Sequence, residues 1–393
     1  MQRTVDTPPQ RRSIRGGTEP RLVLVIGAVM FVDTMFYAVI APLLPGLAHE
    51  LRLSKLSAGL MTASYPIGML LASLPGGLLA ARVGPRFTVC AGLALLASST
   101  IAFAFLRNAA ALDAARFVEG VGGACSWAGG LAWVAAETAP DRRGEMMGWA
   151  VGAAVGGALF GPVIGTIATA TGRPVTFGAV AVAAGVLLGL TRRLPGQHAP
   201  SDQGLGSVTG ALRRPGVATA IWLMGLPAIG SGMLSVLGPL RLHRLGAPAA
   251  AIGATYLVAA AAEAAIAPIV GRLSDRRGRL VPLRFGLAAA AVALLCFTLP
   301  DSVVGLALVI VVIVAAIGVF WAPSMAMLSD AAESHGLHHG LAAALMNLAW
   351  AGGQIIGSGG GGAAAKVAGD GLPLAVAAGV CAATLAALAW ASR

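Results

Sequence analysis

The chain has 393 residues, of which 57% are hydrophobic and only 11% are charged, and its mean hydropathy is +0.82. These values exceed what a soluble domain needs to build a core, so the composition predicts an all-α polytopic membrane protein. The net charge of +11 does not indicate a nucleic-acid partner, because the arginines lie in short clusters between apolar runs and have no aromatic side chains beside them.

A polar, arginine-bearing tail over residues 1–21 comes before the first apolar run. Apolar runs long enough to cross a bilayer then follow, six before and six after a polar linker at 192–215 that is rich in Pro, Gly and Ser. We therefore predict twelve spans in two bundles, 22–191 and 216–391. The runs lie near 22–44, 57–80, 88–107, 110–136, 146–170 and 174–191, and then near 216–240, 249–271, 281–299, 302–328, 340–366 and 371–391.

The arginines are unevenly shared between the two sides that this topology defines. Most of them fall on the side of the N-terminal tail, the linker and the loops after spans 2, 4 and 8. Because cytoplasmic segments carry the excess of Lys and Arg, we expect both termini to be cytoplasmic and the protein to lie in the plasma (inner) membrane.

Span 1 contains Asp33 near its middle, and span 8 contains Glu263 at a similar depth. A charged side chain there costs roughly 2.5–3.5 kcal/mol on insertion scales, so each acid is expected to face protein or water. One interpretation makes them proton and substrate sites that are protonated for part of a transport cycle. The alternative is a protonated acid that only hydrogen-bonds a neighbouring helix.

The loop after span 2 contains Gly77, Arg82 and Gly84, and the loop after span 8 contains Gly271, Asp275, Arg276, Gly278 and Arg279. An aspartate in such a turn can meet the positive end of a helix, while arginines bind carboxylates, so the loops are predicted to latch one conformation. Ala81 lies in the first loop at the position that corresponds to Asp275 in the second. The alternative is that these arginines serve only as topology signals.

Span 4 places Arg116 three residues after Asp113 and three before Glu119, so both acids can reach it on one helix face. An internal ion pair is predicted. It is either structural and permanently closed, or functional, in which case protonation of Glu119 frees Arg116 to attract a substrate or another acid.

Span 5 has glycines at four-residue steps, which lie along one face of a helix and permit close helix packing in lipid. The motif consists of Gly148, Gly152, Gly157, Gly161, Pro162 and Gly165. This pattern resembles the antiporter motif of the twelve-span drug:proton antiporters in the major facilitator superfamily. The usual final glycine is Thr166 here, and any polytopic protein can also carry glycine-rich packing helices.

Further motifs extend the resemblance over residues 22–391. Span 4 opens with Leu112, Arg116 and Gly120 in the family's L-x-x-x-R-x-x-x-G spacing, and the loop after span 8 matches its G-x-x-x-D-R-x-G-R pattern. The opening of span 1, from Phe31 to Pro45, is similar to bacterial relatives of vesicular amine transporters.

The two halves repeat at a nearly constant offset. Glu137, Gly157 and Gly161 of the first half recur as Glu333, Gly353 and Gly357 of the second. Six spans per copy give a parallel repeat about an axis along the membrane normal. We expect the glycines of spans 5 and 11 to seal the interface between the bundles.

Several polar and aromatic residues are candidates to line a central cavity, although such residues at helical spacing usually serve as packing. The candidates are Tyr37, Met61, Tyr65, Trp127, Asn347, Trp350 and Gln354. No metal site is expected, because the cysteines lie singly and no carboxylate or thiol is spaced to complete the group of His335, His338 and His339.

The resemblance implies a monomeric transporter that exchanges protons for small amphipathic, possibly cationic, drugs or metabolites by alternating access. The sequence has no nucleotide-binding or hydrolase motif, so we expect no cofactor and no enzymatic activity, and the proton gradient would supply the energy. Two alternatives stay open on this scaffold. One is a uniporter or proton symporter for a sugar, amino acid or other metabolite, and the other is a non-transporting sensor or scaffold.

Overall fold

A computed structural model describes residues 19–139, 142–196, 215–334 and 339–390, together with isolated positions between 196 and 215. Within these ranges the chain is helical and contains no strand. The first half comprises α1 (Glu19–Ala38), α2 (Ile40–Glu50), α3 (Lys55–Arg82), α4 (Pro85–Phe105), α5 (Ala109–Glu137), α6 (Arg143–Thr171) and α7 (Arg173–Arg193). The second comprises α8 (Pro215–Arg244), α9 (Ala249–Arg277), α10 (Leu280–Leu295), α11 (Val303–Gly318), α12 (Trp321–Glu333), α13 (His339–Ile355), α14 (Gly361–Ala368) and α15 (Gly371–Trp390).

Ten helical segments among the described residues are long and apolar enough to cross a membrane. In hydrocarbon the backbone must satisfy its own hydrogen bonds, so apolar runs of this length become helices. Helix α5 does not qualify, because Arg116 and Glu119 lower its hydropathy, and α13 is interrupted by a π-helical turn over Ile356–Gly360. Twelve spans therefore stay a prediction.

Large apolar side chains cover the outside of the bundle. Leu24 is 74% exposed, Phe105 67% and Phe285 70%. Exposed apolar surface on this scale is typical of a protein whose surroundings are lipid rather than water.

Local signals fix several helix ends. The side chains of Ser54, Asn108 and Ser302 accept hydrogen bonds from backbone amides at the starts of α3, α5 and α11. Gly84 and Gly278 have φ of 125° and 86°, a conformation that glycine adopts without strain, and each ends a turn after a long helix. These two loops are the predicted latch loops.

The predicted first span is present as one apolar segment, Pro20–Glu50, with a local irregularity at Val39 between α1 and α2. Pro42 lies in the first turn of α2 and has no amide to donate to the Ala38 carbonyl. The irregularity lies six residues after Asp33.

Each half has its own packing, and several helix contacts, including one between α5 and α13, join the halves. In the first half α1 packs on α6, and α5 packs between α3 and α4; in the second half α8 packs on α13, and α9 on α11. Between the halves α3 packs on α13 and α14, α6 on α9, and α2 on α8.

Some predictions fall outside the described residues. They concern most of the 1–21 tail, most of the 192–215 linker, the His335, His338 and His339 side chains, and the side chain of Asp275.

Candidate functional site

Asp33 lies at the centre of the first half and is completely buried. Its Oδ2 accepts hydrogen bonds from the Tyr65 hydroxyl on α3 and from the Trp127 indole nitrogen on α5, both at 3.0 Å. Its Oδ1 has no hydrogen-bond partner among the described residues. The carboxyl group is thus held in place through one oxygen, while the other can take a proton or a cation.

Arg116 and Glu119 form an ion pair on α5, one turn from each other. Both side chains are buried, and Arg116 Nη1 lies 3.0 Å from Glu119 Oε2 and 3.3 Å from Oε1. Asp113, which the sequence also places within reach, forms no ion pair with Arg116 among the described residues, and its Oδ1 is buried without a partner. The pair therefore involves only one of the two acids that the spacing allows.

The remaining contacts of Arg116 are with backbone carbonyls at the end of α1. Its Nη1 donates to the Phe36 carbonyl and its Nη2 to the Tyr37 carbonyl, each at 3.3 Å. A backbone carbonyl has two lone pairs, so it can accept a bond from a guanidinium in addition to one within its helix. Arg116 thereby connects α5 to the segment that carries Asp33.

Three aromatic rings surround this cluster. The centroids of Tyr37 and Tyr65 are 4.9 Å apart, and the Trp350 ring lies 5.2 Å from Tyr37 and 6.2 Å from Tyr65. The Arg116 guanidinium lies 5.4 Å from the Tyr65 centroid and 5.9 Å from that of Tyr37, which is cation–π distance. Because Trp350 belongs to α13, the second half also contributes to the site.

The same face of α13 carries two polar side chains beside Trp350. Gln354 donates from Nε2 to Ser231 Oγ at 2.9 Å, while its Oε1 has no partner among the described residues. Asn347 is also buried, and its Nδ2 is likewise unpartnered. Met61, another predicted cavity residue, lies in the hydrophobic core and is fully buried. Among the described residues, Asn347 thus keeps an unpartnered donor and Gln354 an unpartnered acceptor, whereas Met61 contributes packing.

Glu263 lies apart from the Asp33 cluster. It packs against Gly318, where an added Cβ would come 2.6 Å from Glu263 Cγ, and it hydrogen-bonds the Trp321 side chain. Both partners belong to the α11–α12 segment of the second half. The structure therefore brings Asp33, Arg116 and Glu119 together but places Glu263 in a second, separate location.

The expectation that the glycines of span 5 seal the interface between bundles was wrong. A Cβ added at Gly157, Gly161 or Gly165 would collide with α1 or the start of α2, which belong to the same half. Gly148 and Gly152 have no neighbouring atom within 4 Å of an added Cβ. Their spacing predicts a close helix contact, but it does not reveal which helix makes it.

The second half repeats this arrangement. Cβ atoms added at Gly353 and Gly357 would collide with the backbone of α8 at Gly225 and Ile229, and one at Gly361 with the Met233 side chain. The contact of α6 with the opposite half runs instead through Pro162 and Thr166, which approach Gly253. These glycines therefore pack helices within each half, whereas two others, Gly59 and Gly362, lie at a contact between the halves.

Among the described residues of the latch loops, Arg279 forms an ion pair. Arg279 Nη2 lies 2.5 Å from Asp330 Oδ2 on α12, so this arginine binds a carboxylate within its own half. Gly77 is buried in α3, whereas Arg82 and Arg276 are exposed. Gly271 has open space around it.

At the opposite end of the molecule is an ion cluster that the sequence analysis missed. Asp370 follows α14 and binds both Lys55 at the start of α3, at 2.6 Å, and Arg244 at the end of α8. Burial opposes ionisation of Asp370, but the hydrogen bonds and charges of Lys55 and Arg244 outweigh it and hold the pKa of this carboxyl below its usual 3.8. The sequence did contain a signal for this cluster. Asp370 lies in a loop that the predicted topology places on the same side of the membrane as Lys55 and Arg244.

These features define a class: a helical membrane protein with two packed halves, a buried charged cluster at its centre, and ion pairs between the halves at one end. Comparison with known proteins agrees. The sequence profile of the Major Facilitator Superfamily matches residues 26–358 and 228–393. The chain belongs to the major facilitator superfamily of transporters, which confirms the resemblance drawn from its motifs.

The relatives include the synaptic vesicular amine transporter of Mus musculus, 27% identical over 374 residues, which are 93% of this chain and 71% of that protein. The Homo sapiens protein of the same name is 28% identical over 83% of this chain and 64% of its own length. A probable vesicular acetylcholine transporter-B of Danio rerio is 31% identical over 124 residues, 29% of this chain and 25% of that protein. The chain thus spans about two thirds of the amine transporters' length.

Proposed function

We propose that this transporter is a proton-coupled antiporter that exports small amphipathic organic cations. It would work by alternating access between two six-span bundles related by a parallel repeat, in the plasma membrane with both termini cytoplasmic. The observation that carries the proposal is the Asp33 carboxyl, buried completely with one oxygen unpartnered beside the rings of Tyr65 and Trp127.

The chemistry of the Asp33 pocket favours a cation. A carboxylate supplies the opposite charge, and the faces of tyrosine and tryptophan rings attract ammonium groups. An amphipathic molecule would place its charged group at Asp33 and its apolar part among Tyr37, Tyr65 and Trp350. The names of the relatives, amine and acetylcholine transporters, suggest the same class of substrate.

Exchange follows from competition at one carboxyl. The free oxygen of Asp33 can bind a proton or face a cation, and occupancy by one excludes the other. Arg116 and Glu119 lie in the same cluster, so opening of their ion pair would change the charge that Asp33 experiences. Asn347 and Gln354 would bind polar groups of the substrate from the second half.

The equivalent glycine contacts support the repeat. Gly157 and Gly161 pack on α1 just as Gly353 and Gly357 pack on α8. Each half can therefore move as a stiff body, while the surfaces between α3 and α13, and between α6 and α9, change their contacts.

The test measures transport in proteoliposomes with an acidic lumen. The probe is trimethyl(phenethyl)ammonium, whose permanent charge prevents it from being trapped by protonation, and a dye in the lumen reports pH. Wild-type protein should accumulate the probe and alkalinise the lumen. Asp33→Asn should reduce uptake roughly tenfold or more, because losing one partner of a buried charge pair costs about 2–5 kcal/mol.

Asp33→Glu is the matched control, since it keeps the carboxyl group. Wild-type uptake by Asp33→Asn would remove Asp33 from the mechanism. Probe uptake together with acidification of an initially neutral lumen would indicate symport, and uptake without any proton movement would indicate a uniporter.

A further inference from the structure

A cavity of about 580 Å³ lies at the end of the first half where α4 begins and α7 ends, away from the Asp33 cluster. Its lining includes Arg86 and Arg192, and none of the described residues that line it is acidic. A cavity of this size lined by two cationic side chains is suited to an anionic ligand.

Arg86 is held in place by the local fold. Arg86 Nη2 donates to the Arg192 backbone carbonyl at 2.5 Å, which fixes the Arg86 side chain against the end of α7. Its stem also packs near Gly196. A guanidinium has five N–H donors, so Arg86 keeps donors for a phosphate after making this bond. The first turn of α4, at Pro85, adds the positive end of its helix dipole to the same lining.

The cavity continues onto an apolar surface. Phe87 belongs to the lining and is 56% exposed, and Val83 beside it is 55% exposed. Ala91 and Ala94 extend the lining along α4 toward the middle of the helix. A ligand here would meet positive charge at one end and a lipid-facing apolar strip at the other.

We propose that this cavity binds the phosphate of an anionic phospholipid. The phosphate would lie between the side chains of Arg86 and Arg192, and an acyl chain would run past Phe87 along α4. This end of the bundle is the one that the arginine distribution predicts to be cytoplasmic, where the membrane leaflet carries anionic lipids. The apolar strip favours a lipid over a free phosphate, because a free phosphate has no apolar part to pack against the strip.

The test is native mass spectrometry of the purified full chain in a nonionic detergent. Phosphatidylglycerol is titrated against phosphatidylcholine with the same acyl chains, and glycerol phosphate serves as the soluble phosphate. We expect wild-type protein to retain phosphatidylglycerol in preference to both. Arg192→Gln should weaken this binding about fivefold, since an arginine near an anionic headgroup contributes roughly 1 kcal/mol.

Two variants separate binding from folding. Arg192→Gln keeps the bond from Arg86, because that bond goes to the backbone carbonyl. Ala91→Phe fills the cavity without changing its charge and should also weaken phosphatidylglycerol binding. Arg107→Gln, at the other end of α4 and exposed, is the matched control and should leave binding unchanged.

Three results would overturn the proposal. The first is unchanged phosphatidylglycerol affinity in both Arg192→Gln and Ala91→Phe. The second is an equal loss in Arg107→Gln, which would indicate general surface charge. The third is displacement of the lipid by glycerol phosphate at equal concentration, which would make this a site for soluble phosphates.

Discussion

Arg116 is the residue on which the centre of the site depends. It is fully buried, pairs with Glu119, and donates to two carbonyls at the end of α1. A buried ion pair gains little over well-packed apolar side chains, but loss of one partner leaves the other charge uncompensated, at a cost of about 3–5 kcal/mol.

This asymmetry gives a prediction for the Arg116–Glu119 pair. Arg116→Met and Glu119→Met should each lower the midpoint of thermal unfolding in detergent by more than the double variant does. Transport should be lost in all three. If the double variant proves as unstable as the sum of the singles, the two side chains act independently, and the ion pair contributes no coupling.

Conservative replacement at the same position tests the geometry. Lysine keeps the charge of Arg116 but lacks the planar fork that binds Glu119 and the carbonyls of Phe36 and Tyr37 at once. We expect Arg116→Lys to fold with reduced thermal stability and to lose most of its transport in the proteoliposome assay. Transport at the wild-type rate would show that charge alone suffices at this position.

At the scale of single helices, the glycine motif of α6 includes positions packed against α1 and positions with open space around them. Gly157 lies so close to α1 that an added Cβ would come within 3.0 Å of backbone atoms there, whereas Gly148 has open space. Alanine at a close backbone contact forces the helices apart, while alanine at an open helical glycine gains about 1 kcal/mol of helix propensity.

Gly157→Ala and Gly148→Ala therefore form a matched pair. We predict that Gly157→Ala lowers the yield of monodisperse protein and its unfolding midpoint, and that Gly148→Ala leaves both unchanged or raises them. Equal tolerance at the two positions would contradict the close packing of α6 on α1.

These elements also show how far the sequence could predict the structure. The Arg116–Glu119 pair was predictable, because three-residue spacing on a helix is local information. Tyr65 and Trp127 were named as cavity candidates, but their hydrogen bonds to Asp33 were not predictable, since both lie on other helices. The glycine spacing predicted close contact but not its partner, and the irregularity at Val39 was missed although Pro42 indicated it.

At the scale of the whole molecule, the halves are joined at one end by Asp370 with Lys55 and Arg244. The folded state holds the pKa of Asp370 below 3.8, so the cluster stabilises the joined form at pH values above 3.8 and loses that contribution only as pH falls through the lowered pKa. A moderately acidic compartment therefore leaves these ion pairs intact.

The Asp370 cluster should accordingly be opened by mutation rather than by physiological pH. We expect Asp370→Asn to increase labelling by a water-soluble maleimide of a cysteine introduced at Ala63, which is buried opposite Gly359 of the other half. Wild-type protein with the same cysteine should label equally slowly at pH 5.5 and 7.5. Faster labelling at pH 5.5 would show that protons release this end directly.

Alternating access requires the two halves to change their contacts during transport. A reversible cross-link between α3 and the π-helical turn before α14 tests this requirement directly. The Cβ of Ala63 lies 3.8 Å from a Cβ built on Gly359, which is the usual separation in a disulfide. The measurement is uptake by Ala63→Cys/Gly359→Cys before and after oxidation, with each single cysteine as a control. We predict that oxidation abolishes uptake and that dithiothreitol restores it, whereas full transport by the cross-linked protein would contradict alternating access through this surface.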